Sequence, residues 1–282
     1  SILLSQRNYI VDLYEKRRDI RRENISVGKS INLALSHRGI NALKSAKVFE
    51  EIEPLLIPMK GRMVHLSNGE IKYQPYSIYS HEYINSVSRA ALNKILMTKA
   101  EKSNQVTIYF NHSLLKVDEK NNELVFENGK KAYIKNDVIG ADGAGSIIRK
   151  YIDQNVSSPS YSNPLGHDYK ELHIAPDKNG DFQLEPNALH IWPREKFMLI
   201  ALPNMDKSFT CTLFLPVTGN ISFDALSNPN LVIKFFSNNF IDVLPLLDNF
   251  PNSLTRSFIF SLCASDMQLS EVSISSAIII SE

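Results

Sequence analysis

The densest run of chemistry-bearing residues is Asp137 to Arg149, which reads DVIGADGAGSIIR. Its apolar start predicts a short strand, its glycines a turn, and Ser146 the opening of a helix. Free backbone N–H groups and the positive end of the helix dipole would then converge on one spot, which suits a phosphate. Asp142 at the strand's carboxyl end can accept from a sugar hydroxyl, and Arg149 can reach a diphosphate. Asp-Gly by itself is usually an ordinary strand-to-helix turn. The full D-G-x-x-S-x-x-R spacing, through Asp142, Gly143, Ser146 and Arg149, favours a ligand. It is not a G-x-G-x-x-G phosphate loop, because the glycines run in the wrong order, and no such loop occurs in the chain.

A second candidate is Glu15, at the end of a predicted strand from Asn8. In a dinucleotide-binding fold an acidic residue there takes ribose hydroxyls, although such residues are more often merely solvated. Arg17, Arg18, Arg21 and Arg22 follow it as a solvated face or a phosphate contact. Arg62 and Tyr76 form a third set: guanidinium and phenol together can hold a carboxylate. Arg89, one residue into a predicted helix, sits where the dipole disfavours a cation unless an anion binds. The seven histidines show no H-x-x-x-H spacing and no nearby carboxylate pattern, and no G-x-S-x-G elbow is present. Neither a metal nor a nucleophile is indicated. Phosphate-holding turns without an acid/base constellation imply that a cofactor carries the chemistry.

The elements that must position these residues read as α/β in the first part and as an antiparallel sheet with a helix in the second. Helices are predicted from Ser36 to about Leu55, from Ser86 or Ser88 to about Lys102, and from Leu231 to Val243. Asn68-Gly69 predicts a tight hairpin between two strands spanning Met63 to Tyr76. Residues 105–140 are mostly strand. Strands follow at Leu189–Trp192, Phe197–Leu202 and Ser208–Leu215, the last with Phe209, Cys211 and Leu213 on one face. The 282 residues are 43% hydrophobic, enough to build about two domains, and the net charge of +1 argues against a nucleic-acid binder. Two cysteines exclude a disulfide scaffold and imply a reduced compartment.

Several long blocks carry a resemblance: Lys29–Leu43 (KSINLALSHRGINAL), Ile57–His65 (IPMKGRMVH), Tyr83–Lys94 (YINSVSRAALNK), Val138–Arg149 and Leu189–Pro216. In this order they resemble the kynurenine 3-monooxygenase family of FAD-dependent aromatic hydroxylases, over roughly residues 8 to 260. The resemblance implies an α/β fold in which an FAD/NAD(P)-binding Rossmann-like domain is interleaved with an antiparallel-sheet substrate domain. It implies FAD and NADPH as cofactors, with L-kynurenine and O2 as substrates and 3-hydroxy-L-kynurenine as product. Tyr14, Glu15 and Arg17 then match the segment around the adenosine ribose. Ala34 and Arg89 match positions on FAD, and the Asp142–Gly143–Ser146–Arg149 turn matches the motif shared by FAD and NADPH. Arg62 and Tyr76 match the pair that binds the carboxylate of kynurenine, and Ile191, Met198, Ile200 and Phe214 the apolar wall over the flavin ring. Ile147 replaces the family's threonine, removing one hydrogen bond to the cofactor.

The expected division is a cofactor domain from 1–52 and 85–160, a substrate domain from 53–84 and 161–260, and a divergent tail from 261–282. The family's first strand with its G-x-G-x-x-G turn, and its G-D-A-A-H block with the outer-mitochondrial-membrane anchor, are not found. The expectation is therefore a soluble chain truncated at both ends, with a Rossmann sheet lacking its central strand and exposing edges. The rival expectations are a non-catalytic fragment unable to hold FAD, and a hydroxylase of another aromatic acid.

Overall fold

The computed structural model describes residues 1–22, 32–161, 163–247 and 276–281. Most of the expected tail, and parts of the Lys29–Leu43 block, lie outside them. A six-stranded sheet forms one half of the core, in the order His167–Ile174, Phe209–Pro216, Phe197–Pro203, Ala188–Arg194, Gly61–His65 and Ile71–Pro75. Period-two alternation aims Trp192, Leu199, Leu213 and Ile174 at one face. There the helix Pro229–Asn239 packs Val232, Phe235 and Phe236 against them. Asn228 caps this helix by accepting from the Leu231 amide at 3.1 Å, and Pro229 lies in its first turn. The helix stops four residues before the expected Val243. The strand His167–Ile174 was not anticipated, because its first residues are polar and exposed.

Neighbours in this sheet run antiparallel except Ala188–Arg194 and Gly61–His65, which pair in parallel. The predicted hairpin is present, with Gly69 at φ +85° in its turn. Gly61 permits its closure, since a Cβ there would meet the Gln74 carbonyl oxygen at 2.5 Å.

The helix predicted from Ser36 to Leu55 is interrupted. His37–Ser45 ends where Lys47 takes φ +55°. The Val48 and Lys47 amides donate back to the Leu43 and Lys44 carbonyls, both at 3.0 Å. This is a Schellman end with lysine in the place usually held by glycine, and Val48 packs in the same cluster as Leu43. A second short helix, Phe49–Ile52, follows. The strands Asn32–Leu35, Ile84–Ser88 and Ile57–Met59, none anticipated, form a three-stranded sheet beside these helices. Ile84–Ser88 runs into the helix Arg89–Glu101, which Ser88 caps.

A four-stranded sheet orders Asp137–Ala141, Ser276–Ser281, Ile10–Glu15 and Val106–Tyr109. The expectation of bare edges is corrected here, because Ser276–Ser281 pairs antiparallel with both Ile10–Glu15 and Asp137–Ala141. Its successive Ile278 and Ile279 enter apolar clusters on opposite faces, the first with Val11 and Val106, the second with Phe126 and Ile148. A strand apolar on both faces belongs between two covered neighbours. Among the described residues no helix is long and apolar enough to cross a membrane.

Candidate functional site

The hairpin brings Arg62 and Tyr76 together. Gly61 pairs with Pro75, and the Tyr76 amide donates to the Lys60 carbonyl at 3.2 Å, so Tyr76 turns back over the strand that carries Arg62. The Arg62 guanidinium sits 5.0 Å from the centre of the Tyr76 ring. Burial pushes the phenol's pKa up, against the lowering effect of its hydrogen bond with Arg62. An exposed cation beside a half-buried phenol can receive one carboxylate through two kinds of donor.

Across the same face runs a line of apolar ladder partners. Arg62 pairs with Leu189 and Val64 with Ile191 in the parallel junction. Ile191 then pairs with Ile200, and Met198 with Phe214, on the antiparallel strands. Ladder partners project to the same side, so Arg62, Ile191, Met198, Ile200 and Phe214 share one surface. The structure thus collects all six residues expected around a substrate: one cation, one phenol and an apolar wall.

The cofactor candidates are more dispersed. Glu15 and Arg17 line a cavity of about 350 Å³ with Arg18, Leu13, Leu96 and Ile108. The Glu15 carboxylate accepts from the Arg17 amide at 2.9 Å, which fixes it at the strand's end. Tyr14, one residue earlier, faces the opposite side. It is buried and stacks on Tyr109 and Phe126 at 4.9 and 4.7 Å, and burial raises its phenol's pKa. Ala34 is exposed on its strand opposite Ser86, and Arg89 opens the helix that leaves the adjacent strand.

The Asp142 turn forms as predicted, with Gly143 at φ +77° and Ser146 as helix cap. Its polar groups, however, are used locally. Asp142 accepts from the Ser146 hydroxyl at 2.5 Å and from the Ile147 and Ile148 amides at 2.6 and 3.2 Å. The Ser146 hydroxyl accepts from the Arg149 amide at 2.9 Å, and the Arg149 guanidinium donates to the Ala144 carbonyl. The helix N-terminus that was expected to face a phosphate is therefore capped by its own turn. Gly140 lets that helix approach, since a Cβ there would lie 2.8 Å from Ile148.

Residues 22–192 match the FAD binding domain family. The chain belongs to that family. It is 42% identical over 251 residues to a kynurenine 3-monooxygenase of Myxococcus xanthus (strain DK1622), covering 88% of this chain and 54% of that protein. A kynurenine 3-monooxygenase of Sus scrofa is 42% identical over 247 residues, covering 86% and 51%. The chain thus spans about half the length of these relatives. The crystal structure of 2-methyl-3-hydroxypyridine-5-carboxylic acid oxygenase aligns with a TM-score of 0.61 at 18% identity, over 87% of this chain and 62% of that one. The fold is that of the FAD-dependent aromatic hydroxylases.

Two polar clusters carry no signal in the local sequence. Asn32 is buried, and its amide nitrogen lies 3.1 Å from Ser86 Oγ, 3.0 Å from the Pro203 carbonyl and 2.6 Å from Asn204 Oδ1, joining the three-stranded sheet to the six-stranded one. His65 lies 3.0 Å from Asp242 and 2.9 Å from His190. This corrects the view that no histidine has a nearby carboxylate: the partner is 177 residues away, so local spacing carries no signal of it.

Proposed function

We propose that the protein containing this chain is a flavin-dependent monooxygenase that converts L-kynurenine to 3-hydroxy-L-kynurenine with NADPH and O2. The observation that carries this reading is the junction of Arg62 with Tyr76 beside the apolar face of Ile191, Met198, Ile200 and Phe214. An aromatic amino acid has a carboxylate for the first pair and a ring for the second surface. The identity with kynurenine 3-monooxygenases supports that substrate over other aromatic acids.

The residues present fit the adenosine end of FAD. Glu15 offers a fixed carboxylate for ribose hydroxyls, Leu13, Leu96 and Ile108 offer apolar walls for a purine, and Arg17 and Arg18 offer positive charge. Ala34, Arg89 and the turn from Asp142 through Gly143 and Ser146 to Arg149 would lie along the rest of the cofactor, and Tyr14 would support Glu15 from behind. In this reading 1–52 with 85–160 holds the cofactor, and 53–84 with 161–260 the substrate. When bound, FAD supplies the redox chemistry and activates oxygen. The chain's own residues hold the carboxylate, orient the ring and exclude water. The aniline amine of kynurenine makes its ring electron-rich, so no protein base is required.

A second reading, a chain that does not hold FAD, is favoured by one observation: both Asp142 oxygens are committed to its own turn. One experiment separates the two. The purified protein, incubated with excess FAD and desalted, should keep a flavin absorbance band and oxidise NADPH faster with kynurenine, yielding 3-hydroxykynurenine. A colourless protein overturns the cofactor assignment, and a yellow protein without that product overturns the substrate.

A further inference from the structure

Behind the apolar wall, on the core face of the same sheet, polar groups run in a line from Asp242 through His65 and His190 to the Glu185 carbonyl. His65 is 4% exposed and His190 2%. His65 Nδ1 lies 3.0 Å from Asp242 Oδ2, His65 Nε2 2.9 Å from His190 Nδ1, and His190 Nε2 2.9 Å from the Glu185 oxygen. Both ends are acceptors, and Asp242 Oδ2 also accepts from Trp192 Nε1 at 2.7 Å. Three contacts between two acceptors need three protons, whereas two neutral imidazoles carry two. With two protons, one contact sets lone pair against lone pair. With three, every contact has a donor, and Asp242 balances the charge.

His65 faces the Asp242 carboxylate whereas His190 faces only a neutral carbonyl and is held uncharged by burial, which places the third proton on His65. His65 then donates to both Asp242 and His190, and His190 donates to the Glu185 carbonyl. The other charged groups nearby are engaged or distant. Arg194 donates to the His65 carbonyl at 3.1 Å and to the Asn239 carbonyl. The Glu185 carboxylate accepts from the Asn187 amide, Glu70 and Lys72 pair with each other at the surface, and Lys234 on the packed helix is exposed.

The His65–His190 contact crosses the parallel pairing of Gly61–His65 with Ala188–Arg194, where the Arg62 hairpin joins the strands of the apolar wall. We infer that His65 is a proton-bearing positioning residue, whose imidazolium fastens the hairpin carrying Arg62 and Tyr76 to the strand carrying Ile191. Its consequence for substrate rests on the reading of Arg62 and Tyr76 proposed above, while the proton count does not.

NMR of histidine-labelled protein between about pH 8 and about pH 5 reads the ring nitrogens directly. His65 should gain a proton on both nitrogens while His190 stays neutral. Asp242→Asn, which keeps an oxygen acceptor, should require at least about tenfold more protons for the same uptake. Trp192→Phe, which frees a lone pair of Asp242, should shift it the other way and serves if Asp242→Asn does not fold. Protection of the amides across the parallel pairing, with the intrinsic pH dependence of exchange divided out, should rise as His65 charges. A His65 that stays neutral, a His190 that charges first, or exchange that ignores the protonation overturns the inference. These readouts need no substrate, so their failure is distinct from failure of the kynurenine reading. With that reading in hand, His65→Gln should raise KM for kynurenine at unchanged flavin content, and an unchanged KM overturns the positioning.

Discussion

The six-stranded and four-stranded sheets treat their polar residues in opposite ways. In the six-stranded sheet the demanding polar groups, His65, His190 and Asp242, are bonded to one another on the core face. The front face presents the Arg62 cation and the Tyr76 phenol beside Ile191, Met198, Ile200 and Phe214, with Thr212 and Glu171 on the neighbouring rungs. In the four-stranded sheet the candidate ligand groups also build the backbone: Glu15 accepts from the Arg17 amide, and Asp142 from two helix amides. A ligand meets an open site in the first case and competes with existing hydrogen bonds in the second. The contrast teaches that a motif's residue types do not decide its availability. What each oxygen already accepts does.

The largest expected effect lies behind the six-stranded sheet. Trp192 is fully buried, stacks on His65 at 4.0 Å and donates to Asp242. Trp192→Ala should cost roughly 3–5 kcal/mol of stability in urea denaturation. A cost below about 1 kcal/mol would mean that the polar line holds without its aromatic partner. Acid should act on the same place. Below pH 6.5 the unfolded chain protonates His190, but the folded ring stays neutral until about pH 4. The His190 contribution to stability therefore falls as pH drops through that window, by up to about 3 kcal/mol. His190→Gln lacks this contribution, so its stability should fall less between pH 6.5 and pH 4 than the wild type's. Equal slopes would show that His190 charges freely in the fold.

On the front face the expected effect is on binding rather than folding. Arg62→Ala should raise KM for kynurenine by roughly 10- to 100-fold, the value of one charge-assisted hydrogen bond of about 1.5–3 kcal/mol, and leave flavin content alone. Glu15→Gln should do the reverse, weakening FAD retention with little change in KM. If both variants moved both quantities, the two sheets would not be separate functional regions.

How much of this was legible in the sequence follows from the range of each interaction. The Asn68-Gly69 hairpin, the helix opening at Ser86 or Ser88 and the strand–turn–helix at Asp142 depend on residues a few positions apart; all three form, with Ser88 as the cap. Arg62 and Tyr76 meet because a tight turn sets their register, so their proximity was also readable. The Lys47 helix end was missed because lysine is an uncommon residue in the left-handed region. Ser276–Ser281 took the central place in a sheet for reasons of packing on both faces, which spacing along the chain does not encode. The His65–Asp242 contact depends on the turn after the helix Pro229–Asn239 reaching a strand 177 residues earlier in the chain, and no local pattern announces that.

The smallest expected effect is the one that sharpens the comparison most. Asp142 is read as a cofactor contact, yet it also accepts from Ser146 and from the Ile147 and Ile148 amides. Asp142→Ala removes that cap and should cost about 0.5–2 kcal/mol of stability without any ligand present. Asp142→Asn keeps an oxygen acceptor and loses the charge, so it should cost less than the alanine change. Measuring FAD retention in both variants then divides the residue's two jobs. If retention falls in proportion to stability, Asp142 serves the turn and reaches the cofactor only through it. If Asp142→Asn folds like the wild type but releases flavin, the carboxylate leaves its own helix when FAD arrives, and the four-stranded sheet holds a site that opens on binding.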